Sequence, residues 1–571
     1  MDQRRLVLAF AISVVVLILY ERFVLSKYTR SRPQTPVITG QITAEAPPQA
    51  APEPGVVLEA VPPGEAAVTV VTDVLRARLT PLGARLISLE LNRYRRDVAG
   101  NSPPLDLVAV GPELPLRLQI GGGTSDAAVV YTPDRSTLTL RGDERGAVVF
   151  RGQAPGGLAL EKRFTFSGDG YVFQLSLEAA GERPPSAVGV VLTPIPAAGH
   201  QGGGSEVAID LVDHRLEQTP VATLLAADAK SPKPRGGELG WAGFAAQYFL
   251  AALVPPGGGS TAEMATASYL VHEQACGPAD LACAAGPKRG WRCAGDDRAC
   301  ESAPGSRDGA CSACLVRVPV VRVDAPLDRG RVAFDVYMGP KDRAALVRAG
   351  HSLERALDFG YFWFIALPLL YALRVLRELT GNYGLAIILL TALVKVATIP
   401  LTRATFRNMK EMQKIQPQME RLRERFKKDQ EALQREVMEL YRRHRVNPLS
   451  GCLPMVLQIP VFIGLYNTLA YAIELRHAPF TLWINDLSAP DRLMVLGYGI
   501  PVLTLIMGAS MFVQQWLTPA QGDPAQQRIM MITPLIFTFM FINFPAGLVL
   551  YWLVNNIFTI AQQYLMLRSS R

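Results

Sequence analysis

Lys395 is the residue whose type and position carry the most chemistry. It lies in Tyr383–Leu401, a stretch with no other charge, eight residues before Arg403. At 1.5 Å per helical residue it sits about 12 Å deeper in a bilayer than Arg403. A lysine at the centre of a membrane span costs about 2.5–3.5 kcal/mol on insertion scales, which marks it as functional unless its stem snorkels to the interface. None of the long apolar stretches contains Asp or Glu, so no carboxylate inside the membrane is expected to pair with it. Thr391 is one turn away on the same face, and Gln458, Asn467, Asn555 and Asn556 add polar groups on other apolar stretches. These residues are expected to line a wet cavity within the bilayer. An unpaired ammonium there would hold a passing carboxylate briefly, and nothing in the scheme breaks a bond.

The cysteines form a second set. Cys276, Cys283, Cys293, Cys300, Cys311 and Cys314 crowd one loop-rich segment. An even cluster outside the cytoplasm reads as three disulfides whose pairing stays open. The alternative is a metal site on Cys311-Ser312-Ala313-Cys314, which lacks a second such pair and a nearby histidine. Cys452 reads as a small apolar residue. His200, His214 and His272 are scattered, and no nucleophile set has catalytic spacing. Neither an enzyme nor a cofactor is expected.

The elements that must position Lys395 follow from hydropathy. The chain has 571 residues, of which 19 % are charged, against about 25 % in soluble chains. A span needs about 20 apolar residues. Leu6–Tyr20, extended by Phe23–Leu25, Tyr383–Leu401, Cys452–Ile473 and Leu493–Val513 qualify or nearly so. Ile529–Leu567 holds 39 residues without a charge and is broken at Asn543–Gly547, which makes two more. Six spans are predicted. The first reads as an uncleaved anchor, because Tyr20-Glu21-Arg22-Phe23 offers no small-x-small cleavage site. Arg403–Asn447 holds 13 Lys and Arg against 7 Asp and Glu. That loop is therefore placed in the cytoplasm, with both termini on the same side. The basic residues following the first span oppose this, but a long domain translocates despite its charges.

Domain organisation follows. Residues 1–25 form the anchor, and 26–67 a linker with eight prolines. Residues 68–340 alternate short apolar runs with Gly, Pro and Asp turns, the pattern of an extended β-sandwich, with the cysteine-rich insert at 276–314. Residues 341–381 include Gly360–Leu379, a short apolar run interrupted by Pro368. Residues 382–571 form the membrane core. Within it, 403–446 reads as a helical hairpin, with Met409, Met412, Ile415, Met419, Leu422 and Phe426 facing Leu433, Val437 and Leu440 across a turn at 427–430. Its basic surface is either a solvated face or a docking arm for an acidic partner such as ribosomal RNA or a targeting factor.

Several stretches resemble the YidC membrane protein insertases, relatives of the mitochondrial Oxa and chloroplast Albino insertases. They are Asn447-Pro448-Leu449-Ser450-Gly451-Cys452-Leu453-Pro454, Gln458-Ile459-Pro460-Val461-Phe462, Ala478-Pro479-Phe480, Leu482 to Ser488, and Phe544 to Trp552. Tyr337-Met338-Gly339-Pro340-Lys341 resembles the end of that family's periplasmic domain. The resemblance is strong from there to the C-terminus and looser over the β region. It implies a Gram-negative inner-membrane protein: a polytopic α-helical membrane protein with a five-helix core and an all-β periplasmic supersandwich. It also implies a groove open to cytoplasm and lipid, and an amphipathic interface helix within 341–381. Nascent membrane proteins and the Sec translocon are the implied partners, with membrane lipids around the core and no small-molecule substrate.

The family's groove cation is usually arginine; Lys395 stands there, five residues before Pro400, and keeps the charge without the planar fork. Tyr551 and Trp552 match positions where the family contacts the inserting segment. The chain ends at Arg571, so ribosome contact is expected to fall to 403–446. Two other functions compete: a transporter, disfavoured by the lack of intramembrane carboxylates, and an envelope enzyme on the β unit, which rests on fold analogy alone.

Overall fold

A two-residue period builds the N-terminal unit. In Leu158–Ser167 the buried positions are Leu160, Lys162, Phe164 and Phe166, alternating with more exposed neighbours. A pleated strand with one face in a core has this signature. The strand pairs antiparallel with Arg145–Ala154 on one edge and Val172–Ala180 on the other. The computed structural model describes residues 68–108, 113–121, 124–182, 184–196, 207–226, 237–256, 265–276, 292–293, 314–426, 429–444, 453–495, 498–517 and 524–568. The expected anchor and proline-rich linker, and Cys283, Cys300, Cys311 and Cys452, lie outside these residues. The described residues fall into two compact units, one within residues 68–96 and 102–356 and the other within residues 97–101 and 357–568.

The first unit holds three sheets. The nine-stranded sheet runs in the order Arg215–Pro220, Val207–Val212, Leu239–Ala245, Phe249–Val254, Arg331–Pro340, Val172–Ala180, Leu158–Ser167, Arg145–Ala154, Thr132–Pro133. A five-stranded sheet is built around Leu75–Thr80 and Arg85–Arg95. The six-stranded sheet contains β1 (Ala187–Leu192), β2 (Thr266–Cys276), β3 (Arg292–Cys293) and β4 (Cys314–Pro326). In it β4 lies between β2 and β1, and β3 also pairs with β4. The expected all-β sandwich is present.

The alternation forces a lysine inward. Lys162 is fully buried, and burial pushes its pKa down while the Asp126 carboxylate pulls it back up. Its Nζ donates to Asp126 Oδ2 at 2.6 Å, to the Gly83 carbonyl at 2.6 Å and to the Leu116 carbonyl at 3.0 Å, which uses all three donors. Tyr131 donates its hydroxyl to the same carboxylate at 3.2 Å. Nearby, Arg117 Nε meets the buried Glu113 carboxylate at 2.8 Å. His272 is half-buried, with Nδ1 3.4 Å from Glu113.

The second unit is helical. Its helices are α1 (Trp363–Thr380), α2 (Tyr383–Arg425), α3 (Gln430–Arg443), α4 (Leu453–Tyr471), α5 (Val502–Leu517), α6 (Pro524–Phe541) and α7 (Ala546–Arg568). Leu370, Leu373, Ile387, Leu390, Leu465, Leu469 and Val549 join in one apolar core. Outside it, Leu393, Val396, Trp516, Leu535 and Phe539 lie exposed, a surface suited to lipid rather than water. Among the described residues, Tyr383–Pro400 is the one helical stretch long and apolar enough to cross a membrane by length and composition; Ile459–Tyr471, Val502–Leu517 and Met531–Phe541 are shorter apolar helices.

Two boundaries differ from expectation. The expected hairpin start at residue 403 falls inside α2, which continues through Pro400 and Pro417 to Arg425. The expected span from Leu493 begins instead as a hairpin of Leu493–Val495 and Tyr498–Ile500, and helix starts only at Val502. Pro501 divides them: it lacks the N–H a strand would use, yet its carbonyl accepts from Leu505 N and so opens α5. In the hairpin, Ile415, Met419 and Leu440 are buried with Leu422, Val437 and Tyr441 packed around them.

Candidate functional site

Asn382 fixes the start of the helix that carries Lys395. Its Oδ1 accepts from the amides of Gly384 and Leu385, capping α2, while its Nδ2 donates to the Phe480 carbonyl at 3.0 Å. A capping side chain satisfies amides that the first helical turn leaves open. At Gly384 a Cβ would overlap the Phe480 ring, so glycine lets that ring seat against the helix. The segment bearing Phe480 is itself pinned. Asp486 Oδ1 accepts from His477 N, Ser488 N and Ser488 Oγ, and Asp491 accepts from Trp483 Nε1 at 2.6 Å and from Leu503 N at the start of α5. Arg492 donates to the Ile542 carbonyl and to Asn543 Oδ1, and the amides of Ala546 and Gly547 donate to the carbonyls of Ala489 and Leu487. Polar residues thus tie the loop between α4 and α5 to the turn between α6 and α7.

Three turns into α2, Lys395 is half-buried and its Nζ donates to Thr559 Oγ1 on α7 at 2.8 Å. Thr559 in turn donates to the Asn555 carbonyl at 2.7 Å. No carboxylate pairs with Lys395 among the described residues. An ammonium carries three donors, and Thr559 takes one. Positions 551, 555, 559 and 562 recur at steps of four and three and so share one face of α7. On that face Asn555 Oδ1 and Gln562 Oε1 are buried acceptors with no hydrogen-bond partner among the described residues. Asn556, on the neighbouring face, donates to Ser510 Oγ on α5 at 3.0 Å.

The residues singled out from sequence fall in several places. Thr391 is buried and donates to the carbonyl of Ile387 in its own helix. Asn467 donates to the Phe359 carbonyl at 2.7 Å, and its neighbour Thr468 to the Ala366 carbonyl, so both fasten the chain at and before α1 to α4 rather than serve Lys395. Tyr551 is buried in the apolar core on the Lys395 face of α7, about two turns from Thr559. Trp552 packs against Phe462, Phe537 and Phe541. Gln458 lies on α4, and its side chain is outside the described residues. Cys276, Cys293 and Cys314 end or begin β2, β3 and β4. Sequence reasoning missed Thr559 and Gln562; the step from Asn555 by four and then three was the available signal.

The family model for the 60Kd inner membrane protein matches residues 375–571, and that for the YidC periplasmic domain matches residues 67–277 and 306–372. The membrane protein insertase YidC of Pelobacter propionicus is 36% identical over 587 residues, covering 98% of this chain and 98% of that protein. The protein of the same name from Syntrophus aciditrophicus is 35% identical over 596 residues, covering 99% of each. Among solved structures, an active YidC insertase with its first transmembrane domain resolved aligns with 88% of this chain and 93% of that one, at 19% identity and a TM-score of 0.35.

Proposed function

The chain belongs to the YidC family of membrane protein insertases, and from that premise we propose that Lys395 is the point at which a segment entering the membrane is first held. The observation that carries this is the half-buried Lys395 ammonium, which donates to the Thr559 hydroxyl with no carboxylate beside it among the described residues. A nascent segment with an acidic side chain would take the two donors left open. Asn555 Oδ1 and Gln562 Oε1 supply acceptors for its amides along the same face. The apolar surfaces of α2, α5 and α6 then offer a route into lipid. The step transfers a polypeptide between phases and needs no covalent chemistry.

The wider proposal is an inner-membrane protein with both termini in the cytoplasm and the β unit in the periplasm. Its working divisions are a membrane anchor, a linker, the β unit, an interface helix at α1 and the insertase core. It acts alone or beside the Sec translocon. The α2–α3 hairpin supports ribosome contact through an exterior on which Arg421, Arg425, Arg435 and Arg443 lie exposed.

The test is complementation of a strain depleted of its own insertase, with photocrosslinking probes at Thr559, Gln562, Gln458 and Tyr551. Capture of a stalled nascent membrane segment at 559 and 562 is expected. Normal insertion of every client by Lys395→Glu would refute the electrostatic step.

A further inference from the structure

The two ladders on β4 bring three cysteines to one row of a sheet. β2 pairs with β4 through eleven residue pairs, the last of which sets Cys276 opposite Cys314. β3 pairs with β4 through two, one of which sets Cys293 opposite the same Cys314. A strand has two edges. β2 occupies one of them at Cys314, so β3 takes the other, continuing the edge that β1 covers from Val321 to Pro326. Directly opposed residues in an antiparallel ladder have Cα atoms about 4.5–5.5 Å apart. That separation lies within the roughly 4.4–6.8 Å range that a disulfide spans. Cys276 and Cys293 are two strands apart, about 10 Å, too far to bond each other.

The family model for the periplasmic domain matches through residue 277 and resumes at 306. Cys276 and Cys314 lie within the matched residues, whereas Cys293 lies in the stretch between them that the family model leaves unmatched.

We propose that Cys314 is shared by two mutually exclusive cross-strand disulfides, to Cys276 and to Cys293, which interconvert by thiol–disulfide exchange. The Cys276–Cys314 bond is the resting form, because eleven ladder pairs hold those two positions opposite each other, against two for Cys293. It forms when the two thiols pass two electrons and two protons to a disulfide-bearing oxidant of the periplasm, which leaves as a dithiol. In the exchange, the Cys293 thiolate attacks the Cys314 sulfur, the bond to Cys276 breaks, and its electron pair departs on Cys276 as a thiolate. No electron is gained or lost in that step. The bond chosen decides whether β2 or β3 is tied covalently to β4.

The experiment is non-reducing peptide mapping by mass spectrometry on the full-length protein, with free thiols blocked by N-ethylmaleimide. Wild type is expected to yield a Cys276–Cys314 cross-link, joined by a Cys293–Cys314 cross-link after incubation in a glutathione redox buffer. Cys276→Ser shifts Cys314 wholly to Cys293, Cys293→Ser leaves the Cys276 link alone, and Cys314→Ser yields no Cys276–Cys293 link. Linkage of Cys314 to Cys283, Cys300 or Cys311 in wild type overturns the proposal. So does Cys314 left as a free thiol in Cys276→Ser, and so does stoichiometric zinc whose removal is needed before the three thiols react.

Discussion

Lys395 and Thr559 join α2 to α7 through a single 2.8 Å hydrogen bond from an ammonium to a hydroxyl. The pair contains a charge but no countercharge, so the ammonium stays open to a carboxylate that arrives from elsewhere. A hydrogen bond to a charged group contributes about 1.5–3 kcal/mol. Thr559→Val is therefore expected to misplace the ammonium and lower insertion of a client with an acidic segment by about tenfold. Lys395→Ala and Lys395→Glu should lose more, whereas Lys395→Arg keeps the charge and most of the activity. Protease protection of the translocated client end reads all four.

Arg374 on α1 donates Nε to Glu474 Oε1 at 2.7 Å, just beyond the end of α4. Both side chains are partly exposed, which places the pair between a surface bridge and a buried one. Glu474→Ala should loosen α1 by about 1–2 kcal/mol. Faster amide exchange in 363–380 measures it, and the charge-swapped double variant should restore part of the protection.

Overpacking tests the seat of Phe480. Gly384→Val drives a side chain into the space the ring occupies, with an expected loss of about 1–3 kcal/mol. A lower melting temperature of the detergent-solubilised protein records it. Adding Phe480→Ala should recover part of that loss, whereas a backbone effect at 384 alone would leave the double variant no better.

Acid stability of the β unit should turn on Glu113. Burial raises its pKa, but the His272 hydrogen bond and the Arg117 charge outweigh burial and hold it below its ordinary value of 4.5. Between the lowered folded value and 4.5 the unfolded chain binds more protons, so stability is present above 4.5 and falls as pH drops through the folded value. Urea midpoints followed by tryptophan fluorescence should decline over that interval in wild type. In Glu113→Gln the midpoint starts lower and changes less across the same interval.

Much of this was legible in the residues because the relevant signals are local. One charge in an apolar stretch identified Lys395, and a two-residue period identified the sandwich strands. Other features depend on three-dimensional partners. Thr559 is close to neutral in hydropathy and gains meaning only when α7 lies against α2. Asn467 had the polarity expected of a groove residue, but its place on α4 puts it beside the Phe359 carbonyl. Leu493–Val495 has the apolarity of a helix start, and the hairpin it forms is set by its pairing with Tyr498–Ile500 and by Pro501.

One helix, Tyr383–Arg425, holds its capped end, Lys395 and the base of the α2–α3 hairpin in a single rod of 43 residues, about 65 Å long. Such a rod conveys torque. A push on the hairpin arrives at the ammonium unless a joint absorbs it, and Pro400 and Pro417, each of which removes one backbone hydrogen bond, are the places where this lever can flex.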